Sequence, residues 1–197
     1  MTNRPDHERR RFLTTTAVVV GGVGAAGSAF PFAASMLPSE KTKLIGGDME
    51  VDISGLKPGE LKITKWRGMP IWILRRTPSM LQDIMSLEDR LRDPDSETSD
   101  QPNNTVNSFR SIDPEVLVLV GVCTHLGCSP NFVPEHSVSE IGSWWRGGFF
   151  CPCHYSEYDL SGRVFKGRSP APRNLIVPPY RFLDKDRLLI GDQSEHA

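Results

Sequence analysis

The sequence predicts a mainly β head built on an antiparallel sheet with one inserted helix, preceded by one N-terminal transmembrane helix. Short strand-like segments alternate with turn residues from residue 50 onward, one run over residues 77–91 has helical spacing, and residues 12–39 contain no charged side chain. The 197 residues are 38% hydrophobic and 24% charged, which is typical of a globular protein. The formal net charge of -1 favours no nucleic-acid partner, so we expect function to come from a local site.

The N-terminal segment combines an export signal with an apolar stretch. Residues 14–37 are weakly apolar and, at about 1.5 Å per residue, long enough as a helix to cross the ~30 Å hydrocarbon core. Pro31 is expected to kink this helix or to end its regular part. The preceding Arg9-Arg10-Arg11-Phe12-Leu13 resembles the twin-arginine signal, which directs the export of folded proteins. We predict a cytoplasmic tail with this signal over residues 1–13, a transmembrane helix over 14–37 and a hinge or tether over 38–47.

Cleavage of the signal is the alternative to its retention as an anchor. Ala33-Ala34-Ser35 follows the small-residue rule for a cleavage site only poorly. The sequence therefore favours retention, and an intact N-terminus in membrane-extracted protein would distinguish the two.

The head is predicted to occupy residues 48–197. Residues 77–91 begin with Thr77 as an N-cap and Pro78 in the first turn, and their apolar spacing predicts the helix, until Pro94 ends the pattern. Residues 93–105 are polar and are predicted to be a solvated loop without chemistry. Strand composition predicts strands at residues 50–53, 61–66, 71–75, 116–122, 148–150, 175–177, 180–183 and 188–190.

The residues that carry chemistry lie in two short boxes, each at the end of a predicted strand. The first box is Cys123-Thr124-His125-Leu126-Gly127-Cys128, and the second box is Cys151-Pro152-Cys153-His154-Tyr155-Ser156. Two thiolates and two imidazoles can hold a tetrahedral zinc ion, so a structural zinc site is one interpretation. A four-ligand zinc site of this kind would leave Cys128 and Cys153 as spare thiols in an oxidising compartment, which argues against it.

Both boxes, in their residue types, order and spacing, resemble the cluster-binding motifs of Rieske proteins. The resemblance implies a Rieske-type antiparallel β-sandwich head with a cluster-binding subdomain at about residues 121–179. It also implies one 2Fe-2S cluster per subunit, with neutral imidazoles that raise the potential from ~-400 mV towards about -150 to +300 mV. By the same resemblance, Cys123 and Cys151 bind one iron, His125 and His154 bind the other, and Cys128 forms a disulfide with Cys153.

The resemblance assigns roles to further residues around the cluster. Hydroxyl groups of Ser156 and Tyr158 are expected to donate to sulfur, which stabilises the reduced cluster and raises its potential. His154 is expected to present its free ring nitrogen to quinol as the catalytic residue, and Leu126 to pack at the exposed tip. Tyr155 departs from the family, which usually has glycine after the second histidine, and a positive φ there would be strained.

Similarity to the quinol-cytochrome c reductase branch of the family extends beyond the boxes. Three segments outside the boxes resemble this branch: residues 30–36 at the predicted junction with the hinge, Lys65-Trp66-Arg67-Gly68, and the proline loop Pro170-Ala171-Pro172. This resemblance implies a subunit that takes an electron and a proton from quinol and passes the electron to a c-type cytochrome. It implies a cytochrome b subunit and a cytochrome c-type subunit as partners in a dimeric complex, a single pass through the bacterial inner membrane and a periplasmic head.

Three other functions stay open from the sequence. A small Rieske subunit of an exported arsenite oxidase usually lacks the retained anchor, the hinge and the Lys-Trp-Arg-Gly stretch. A ferredoxin for a ring-hydroxylating oxygenase lacks the disulfide pair and the export signal. A zinc-stapled binding module would have no redox role, and electron paramagnetic resonance of the reduced protein would distinguish it from the others.

Overall fold

A computed structural model describes residues 6–37, 47–136 and 138–191 of the chain. The chain divides into two compact units between residues 44 and 45. The predicted hinge at residues 38–47 lies outside the described residues, apart from Gly47.

The N-terminal unit contains one long helix, α1 (His7–Ser35). The Asp6 carboxylate caps it by accepting a hydrogen bond from the backbone N–H of Arg9 at 3.2 Å. All its residues are exposed, and its length and apolar composition fit a membrane span. Pro31 lies inside the helix, which continues to Ser35, so the expectation that this proline ends the regular part is wrong.

The head unit contains nine strands within the described residues, in three antiparallel three-stranded sheets. The strands are β1 (Met49–Asp52), β2 (Leu61–Trp66), β3 (Met69–Arg75), β4 (Val116–Val120), β5 (Asn131–Val133), β6 (Gly148–Phe150), β7 (Glu157–Tyr158), β8 (Tyr180–Asp184) and β9 (Arg187–Ile190). Their order is β1-β9-β8, β2-β3-β4 and β5-β6-β7. One apolar core takes buried residues from all three sheets, among them Val51, Ile73 and Phe149. The predicted mainly β, antiparallel fold is confirmed.

The β2-β3-β4 sheet supports the first box. All five residues of β4 are buried, as expected for an apolar, β-branched run covered on both faces, and β4 pairs with β3 in a register that sets Ile71 opposite Val120. Gly121 follows β4 where the Trp72 ring leaves no room for a Cβ atom. The chain therefore passes directly from a rigid strand into Cys123.

Most predicted strands lie within two residues of an observed one, but residues 175–177 do not form a strand. The N–H of Leu175 donates to the Gly162 carbonyl, and the Ile176 carbonyl accepts from the N–H of Val120. Since consecutive residues bond to different parts of the chain, no continuous ladder forms. The short strands β5 and β7 were not predicted.

The inserted helix is shorter than predicted. Helix α2 (Pro78–Met85) begins at Thr77, whose side chain accepts a hydrogen bond from the N–H of Met80 at 3.3 Å, and a 3-10 turn at Glu88–Arg90 follows it. The apolar spacing continues beyond the helix because Leu87 and Leu91 are buried against Trp145 and Phe165 in a second, smaller core. The prediction of helix up to Leu91 is wrong, since burial rather than helical geometry explains its last leucines.

The polar segment 93–105 is only partly the solvated loop that was predicted, because several of its residues are buried while Asp95, Glu97 and Asn103 are exposed. Asp93 is 8% exposed and Thr105 is fully buried. Burial favours the neutral acid, but hydrogen bonds from Ser99, Thr98 and Glu97 outweigh it and lower the pKa of Asp93. The side chain of Asn174 donates to the Asp93 carbonyl at 2.9 Å, so the segment packs beside the stretch that follows the proline loop.

Candidate metal centre

The two boxes share one backbone frame. In each box the N–H of the first cysteine donates to the carbonyl five residues later, and the N–H of the fourth following residue donates back to the cysteine carbonyl. The bonds are Cys123 to Cys128 at 2.7 Å, Gly127 to Cys123 at 3.0 Å, Cys151 to Ser156 at 2.8 Å and Tyr155 to Cys151 at 3.0 Å. Both boxes are therefore tight loops whose shape the backbone itself maintains.

The fourth residue after each first cysteine has a left-handed backbone. Gly127 has a φ of 83° and Tyr155 a φ of 62°. This conformation is easy for glycine but costs roughly 1–2 kcal/mol for a residue with a Cβ atom. The Tyr155 side chain is 59% exposed, and its ring centroid lies 5.9 Å from that of Phe150. Tyr155 therefore has the positive φ that would be strained at this departure from the family, and the box tolerates the strain.

A disulfide joins the boxes, as predicted. Cys128 and Cys153 are bonded, with their Cα atoms 6.7 Å apart. The Cys151 sulfur lies near this bond, and the three sulfurs are within 4.8 Å of one another. Because two of them are bonded to each other, this group is not a three-cysteine metal site.

The remaining cysteines, Cys123 and Cys151, are unbonded and buried at 3% and 1% exposure. Burial opposes ionisation of Cys123, but hydrogen bonds from the Tyr158 hydroxyl and the His125 N–H outweigh it and lower the pKa of this thiol. Burial, together with the charge of Cys123, raises the pKa of Cys151. The ionisation of one thiol therefore affects the pKa of the other, as expected for two sulfurs directed at one centre.

The two histidines of the boxes also converge. The ring centroids of His125 and His154 are 4.8 Å apart and the rings are nearly perpendicular, at 89°. The Nδ1 atom of His125 is buried and has no hydrogen-bond partner among the described residues. A buried polar atom without a partner is costly, so this nitrogen fits a metal-ligating atom. His154, in contrast, is exposed.

The donor set fits a Rieske-type cluster. Two buried thiols and two converging imidazoles come from loops that a disulfide joins, and Rieske centres use two cysteines on one iron and two histidines on the other. The unpartnered Nδ1 of His125 provides an independent observation that the site is incomplete without a bound metal.

Tyr158 provides a hydroxyl beside a thiol sulfur. Its oxygen lies 3.2 Å from Cys123 Sγ and accepts a hydrogen bond from the N–H of Thr124 at 3.3 Å. The Thr124 hydroxyl lies 3.2 Å from the same oxygen but donates its proton to the Arg173 carbonyl at 2.6 Å. The Tyr158 proton is therefore free to point at Cys123 or at the Thr124 oxygen. Burial raises the pKa of Tyr158 well above its ordinary value, so the hydroxyl stays a donor.

Ser156 is fully buried and its Oγ makes no hydrogen bond among the described residues. The hydroxyl is close enough to Cys123 to favour its thiolate form, although it does not reach the geometry of an ordinary O–H···S bond. A partnerless buried hydroxyl facing the sulfurs fits a donor whose acceptor is a sulfur of the bound cluster.

The proline loop and Leu126 complete the surroundings of the boxes. Ala171 of the proline loop is fully buried, and the bond from Thr124 to the Arg173 carbonyl ties the first box to the residue after this loop. Leu126 is 70% exposed at the tip of the first box. The predicted site residues are thus gathered in one region, with an apolar side chain and an exposed histidine on its outer side.

Three buried arginines hold the turn at residues 159–163, immediately after Tyr158, and sequence reasoning missed them. Arg76 Nη1 donates to the Leu160 carbonyl at 3.3 Å, and Arg110 Nη1 donates to the Ser161 carbonyl at 3.3 Å. Arg163 pairs with the buried carboxylate of Asp159 at 2.8 Å. Burial lowers the pKa of Arg76 and of Arg110 to about 10, so both stay charged near neutral pH.

No local pattern could reveal the first two contacts. Arg76 is separated by 84 residues from Leu160, and Arg110 is separated by 51 residues from Ser161. An arginine with a distant carbonyl partner looks in sequence like an ordinary surface arginine.

Comparison with known proteins gives consistent matches. Residues 2–39 match the family described as ubiquitinol-cytochrome C reductase Fe-S subunit TAT signal, and residues 84–181 match the Rieske [2Fe-2S] domain. The predicted twin-arginine signal and the resemblance drawn from the boxes are thereby confirmed.

Two curated relatives are similar over nearly the whole chain. The ubiquinol-cytochrome c reductase iron-sulfur subunit of Allochromatium vinosum is 49% identical over 189 residues, covering 96% of this chain and 91% of the relative. The subunit of the same name from Blastochloris viridis is 40% identical over 184 residues, covering 93% and 92%. Among solved structures, a chain of a hyperthermophilic respiratory Complex III is 27% identical with a TM-score of 0.48, covering 89% of this chain and 98% of that one. The chain therefore belongs to the family of ubiquinol-cytochrome c reductase iron-sulfur subunits, and its cofactor is a Rieske 2Fe-2S cluster.

Proposed function

We propose that this chain takes an electron, coupled to a proton, from quinol through its 2Fe-2S cluster and passes the electron to a c-type cytochrome in a respiratory quinol-cytochrome c reductase. The observation that carries the proposal is the meeting of two buried thiols with two imidazoles, one of which is exposed. The names of the relatives support the same reaction.

In this proposal Cys123 and Cys151 hold one iron, and His125 and His154 hold the other. When bound, the cluster supplies a one-electron redox centre whose potential lies between about -150 and +300 mV, high enough to oxidise a quinol. The burial of both thiols keeps water away from the sulfurs, and the buried Nδ1 of His125 is the natural ligand atom of that ring. The disulfide prevents the two boxes from separating.

His154 is the residue that meets the substrate. Its ring is exposed, so the nitrogen that does not bind iron can accept a hydrogen bond from a quinol hydroxyl and then take its proton. Imidazoles exchange protons readily near neutral pH, and an oxidised metal makes the ring more acidic, which couples proton transfer to electron transfer. Leu126, which follows His125 in the chain and is exposed, provides an apolar contact for the quinol ring or for the protein that holds it.

The chain works as one subunit of a membrane complex. The tail over residues 1–13 stays in the cytoplasm, the helix over 14–37 crosses the bacterial inner membrane once, and 38–47 act as the hinge. The head over residues 48–197, with its cluster-binding subdomain at about 121–179, lies on the periplasmic side. A cytochrome b subunit and a cytochrome c-type subunit are its partners in a dimeric complex. The Tat signal and the apolar helix α1 support this arrangement.

Purification of the membrane complex tests the function. We expect a rhombic 2Fe-2S signal in electron paramagnetic resonance after dithionite reduction, iron with acid-labile sulfide, and co-purification with a di-haem b-type cytochrome. The absence of that cytochrome would favour another exported oxidoreductase, such as an arsenite oxidase. Stoichiometric zinc without sulfide would favour the zinc-stapled module and refute electron transfer.

A pair of histidine variants sharpens this test. His154→Ala should lose the cluster signal and quinol oxidation together, because the ring is both a ligand and the contact to quinol. His136→Ala is the matched control, since His136 is a solvent-exposed histidine that pairs with Asp83 at 3.0 Å and has no place in the site. Quinol oxidation by the His154 variant at the level of the control would contradict the assigned role.

A further inference from the structure

The short strand β7 directly follows Ser156, ends with Tyr158 and contains a buried carboxylate. Glu157, between Ser156 and Tyr158, is 1% exposed. A buried carboxylate is costly unless it is paired and hydrogen-bonded. Its partner is Arg168, whose Nε lies 2.7 Å and Nη2 2.6 Å from Glu157 Oε1. The carboxylate is thus held by a two-pronged contact from a residue that comes after the second box.

The neighbour of Arg168 holds the backbone of the same glutamate. The N–H of Glu157 donates to Ser169 Oγ at 2.8 Å, and Ser169 is 2% exposed. The Glu157 carbonyl accepts from the N–H of Phe165 at 3.0 Å. Arg168 therefore holds the side chain of Glu157, and Ser169 holds its backbone. We call these three residues, Glu157, Arg168 and Ser169, the Glu157 brace.

Arg168 is itself held in place from a different part of the chain. Its Nη2 donates to the carbonyls of Glu140 and Ile141, both at 3.2 Å. The guanidinium of Arg92 donates to the Ser169 carbonyl at 2.9 Å. The brace is thus tied both to the loop that contains Trp145 and to the segment after the inserted helix.

The position of β7 matters because its own strand pairing is short, so contacts from outside the strand must hold it. The strand has only two residues, and it pairs with β6 through Phe150 opposite Glu157 and Phe149 opposite Tyr158. A two-residue strand has few ladder bonds to resist displacement. The Tyr158 hydroxyl must nevertheless stay 3.2 Å from Cys123 Sγ, and hydrogen-bond strength falls steeply when geometry is lost.

We infer that Arg168 is a positioning residue, which acts through Glu157 to hold the Ser156 and Tyr158 hydroxyls towards the cluster sulfurs and thereby maintains a high midpoint potential. The inference rests on the proposed function and adds to it a residue outside both boxes. Among the described residues, the polar contacts of Arg168 are with Glu157, Glu140 and Ile141, and none of them is a ligand of the cluster. Its effect on the reaction therefore comes through the redox potential rather than through substrate binding.

The test uses the full chain in its membrane complex and measures the midpoint potential by redox titration followed by electron paramagnetic resonance. We expect R168A to lower the midpoint potential at full cluster occupancy, and R168K to lower it less, because lysine restores the charge but not the two-pronged contact. The double variant E157Q/R168A also removes the charge of the Glu157 carboxylate, which R168A alone would leave buried and unpaired. If positioning is the cause, its midpoint potential stays below that of the unmodified complex.

Arg187→Ala is the matched control, because the Arg187 side chain is 51% exposed, close to the 52% of Arg168, and pairs with the surface carboxylates Glu50 and Asp184 outside both boxes. It should leave the midpoint potential unchanged. Unchanged midpoint potentials in R168A and R168K would overturn the inference. Full restoration of the midpoint potential in E157Q/R168A would overturn it as well, because Arg168 would then act only by neutralising the charge of Glu157. If R168A fails to retain the cluster, R168K and E157Q/R168A decide by the same criteria. Absence of the 2Fe-2S signal from the unmodified complex would instead refute the proposed function and, with it, this inference.

Discussion

The Tyr158 hydroxyl is the side-chain group through which the fold can influence the redox potential of the cluster. It lies 3.2 Å from Cys123 Sγ, and its oxygen already accepts the N–H of Thr124. Its own proton is therefore available to the sulfur, whose acceptor strength increases when the cluster gains an electron. A donor of this kind stabilises the reduced state more than the oxidised state.

Replacing Tyr158 with Phe should therefore lower the midpoint potential. Loss of about 1–2 kcal/mol of differential hydrogen bonding corresponds to ~40–90 mV for one electron. Redox titration of the purified complex measures this shift. Tyr180→Phe is the control, because Tyr180 is also buried, with a pKa raised to about 12, but its hydroxyl accepts from Ile112. Equal potentials in the Tyr158 variant and the unmodified protein would contradict the role.

Tyr155 and Gly127 form a natural pair for measuring backbone strain. Both have left-handed backbones at the same position of the shared frame, and a Cβ atom at Gly127 would meet nothing within 4 Å. We expect Tyr155→Gly to be more stable than Tyr155→Ala by about 1 kcal/mol, since only glycine relieves the strain. Gly127→Ala should destabilise by a similar amount. Denaturant unfolding of the purified chain checks both, and a more stable alanine variant at either position would argue against strain.

Among the larger elements, the turn at residues 159–163 connects the site to the rest of the head. Arg163 pairs with Asp159 with both side chains fully buried, and it donates to the Ile84 carbonyl at 2.9 Å. The end of α2 is thus joined to the strand that contains Tyr158. The position of the residues that follow the second box therefore depends on contacts with the end of the inserted helix.

Arg163→Met should destabilise the head by about 3–5 kcal/mol, because it leaves the Asp159 carboxylate buried and unpaired. Arg187→Met is the matched control. Arg187 pairs with Glu50 and Asp184 on the surface, where all three side chains are about half exposed, and such pairs contribute about 0–1 kcal/mol each. Chemical denaturation compares the two, and equal losses would contradict the assignment of the Arg163 pair as the structural one.

Local pattern predicted the long elements but not the short or irregular ones. The β4 strand and the start of α2 are recognisable because a run of apolar residues and the Thr77-Pro78 pair are patterns of only a few neighbouring residues. The end of α2 was misplaced because Leu87 and Leu91 keep helical spacing for a reason outside the helix, their packing on Trp145. Strand β7 has only two residues, too few to show a period.

The site was predictable to the extent that its residues lie in contiguous boxes. The ligand set and the Cys128–Cys153 pair followed from the resemblance that spacing and order in the boxes made visible, and the disulfide is present. The supporting residues Arg76, Arg110 and Arg168 could not be predicted, because their partners are backbone carbonyls or a glutamate brought close only by folding.

At the scale of the whole molecule, we expect export to depend on the twin-arginine signal, which the family match at residues 2–39 includes. Replacing Arg9 and Arg10 together with lysine should leave the head outside the mature membrane complex, whereas Arg11→Lys should have little effect, since Arg11 is not one of the pair that defines the signal. Quantification of the chain in membrane and soluble fractions checks this. Normal membrane assembly of the double variant would show that another route exports the head.

The anchor should remain on the mature protein. Helix α1 is long and apolar enough to span a bilayer, and Ala33-Ala34-Ser35 lies inside or at the end of the helix rather than in an extended cleavage segment. Mass spectrometry of the membrane-extracted chain should therefore detect peptides from before α1. A mature N-terminus beyond residue 35 would contradict retention.

The pairing of the first and last strands of the head has a consequence for biogenesis. Met49 of β1 lies opposite Ile190 of β9, so this sheet is completed only when the ribosome has made the chain through β9. The head as a whole, with the sheet that joins its two ends, can therefore be completed only after translation has passed residue 190. The Tat-signal family match at residues 2–39 suits such a head, because a twin-arginine route carries proteins that have already folded.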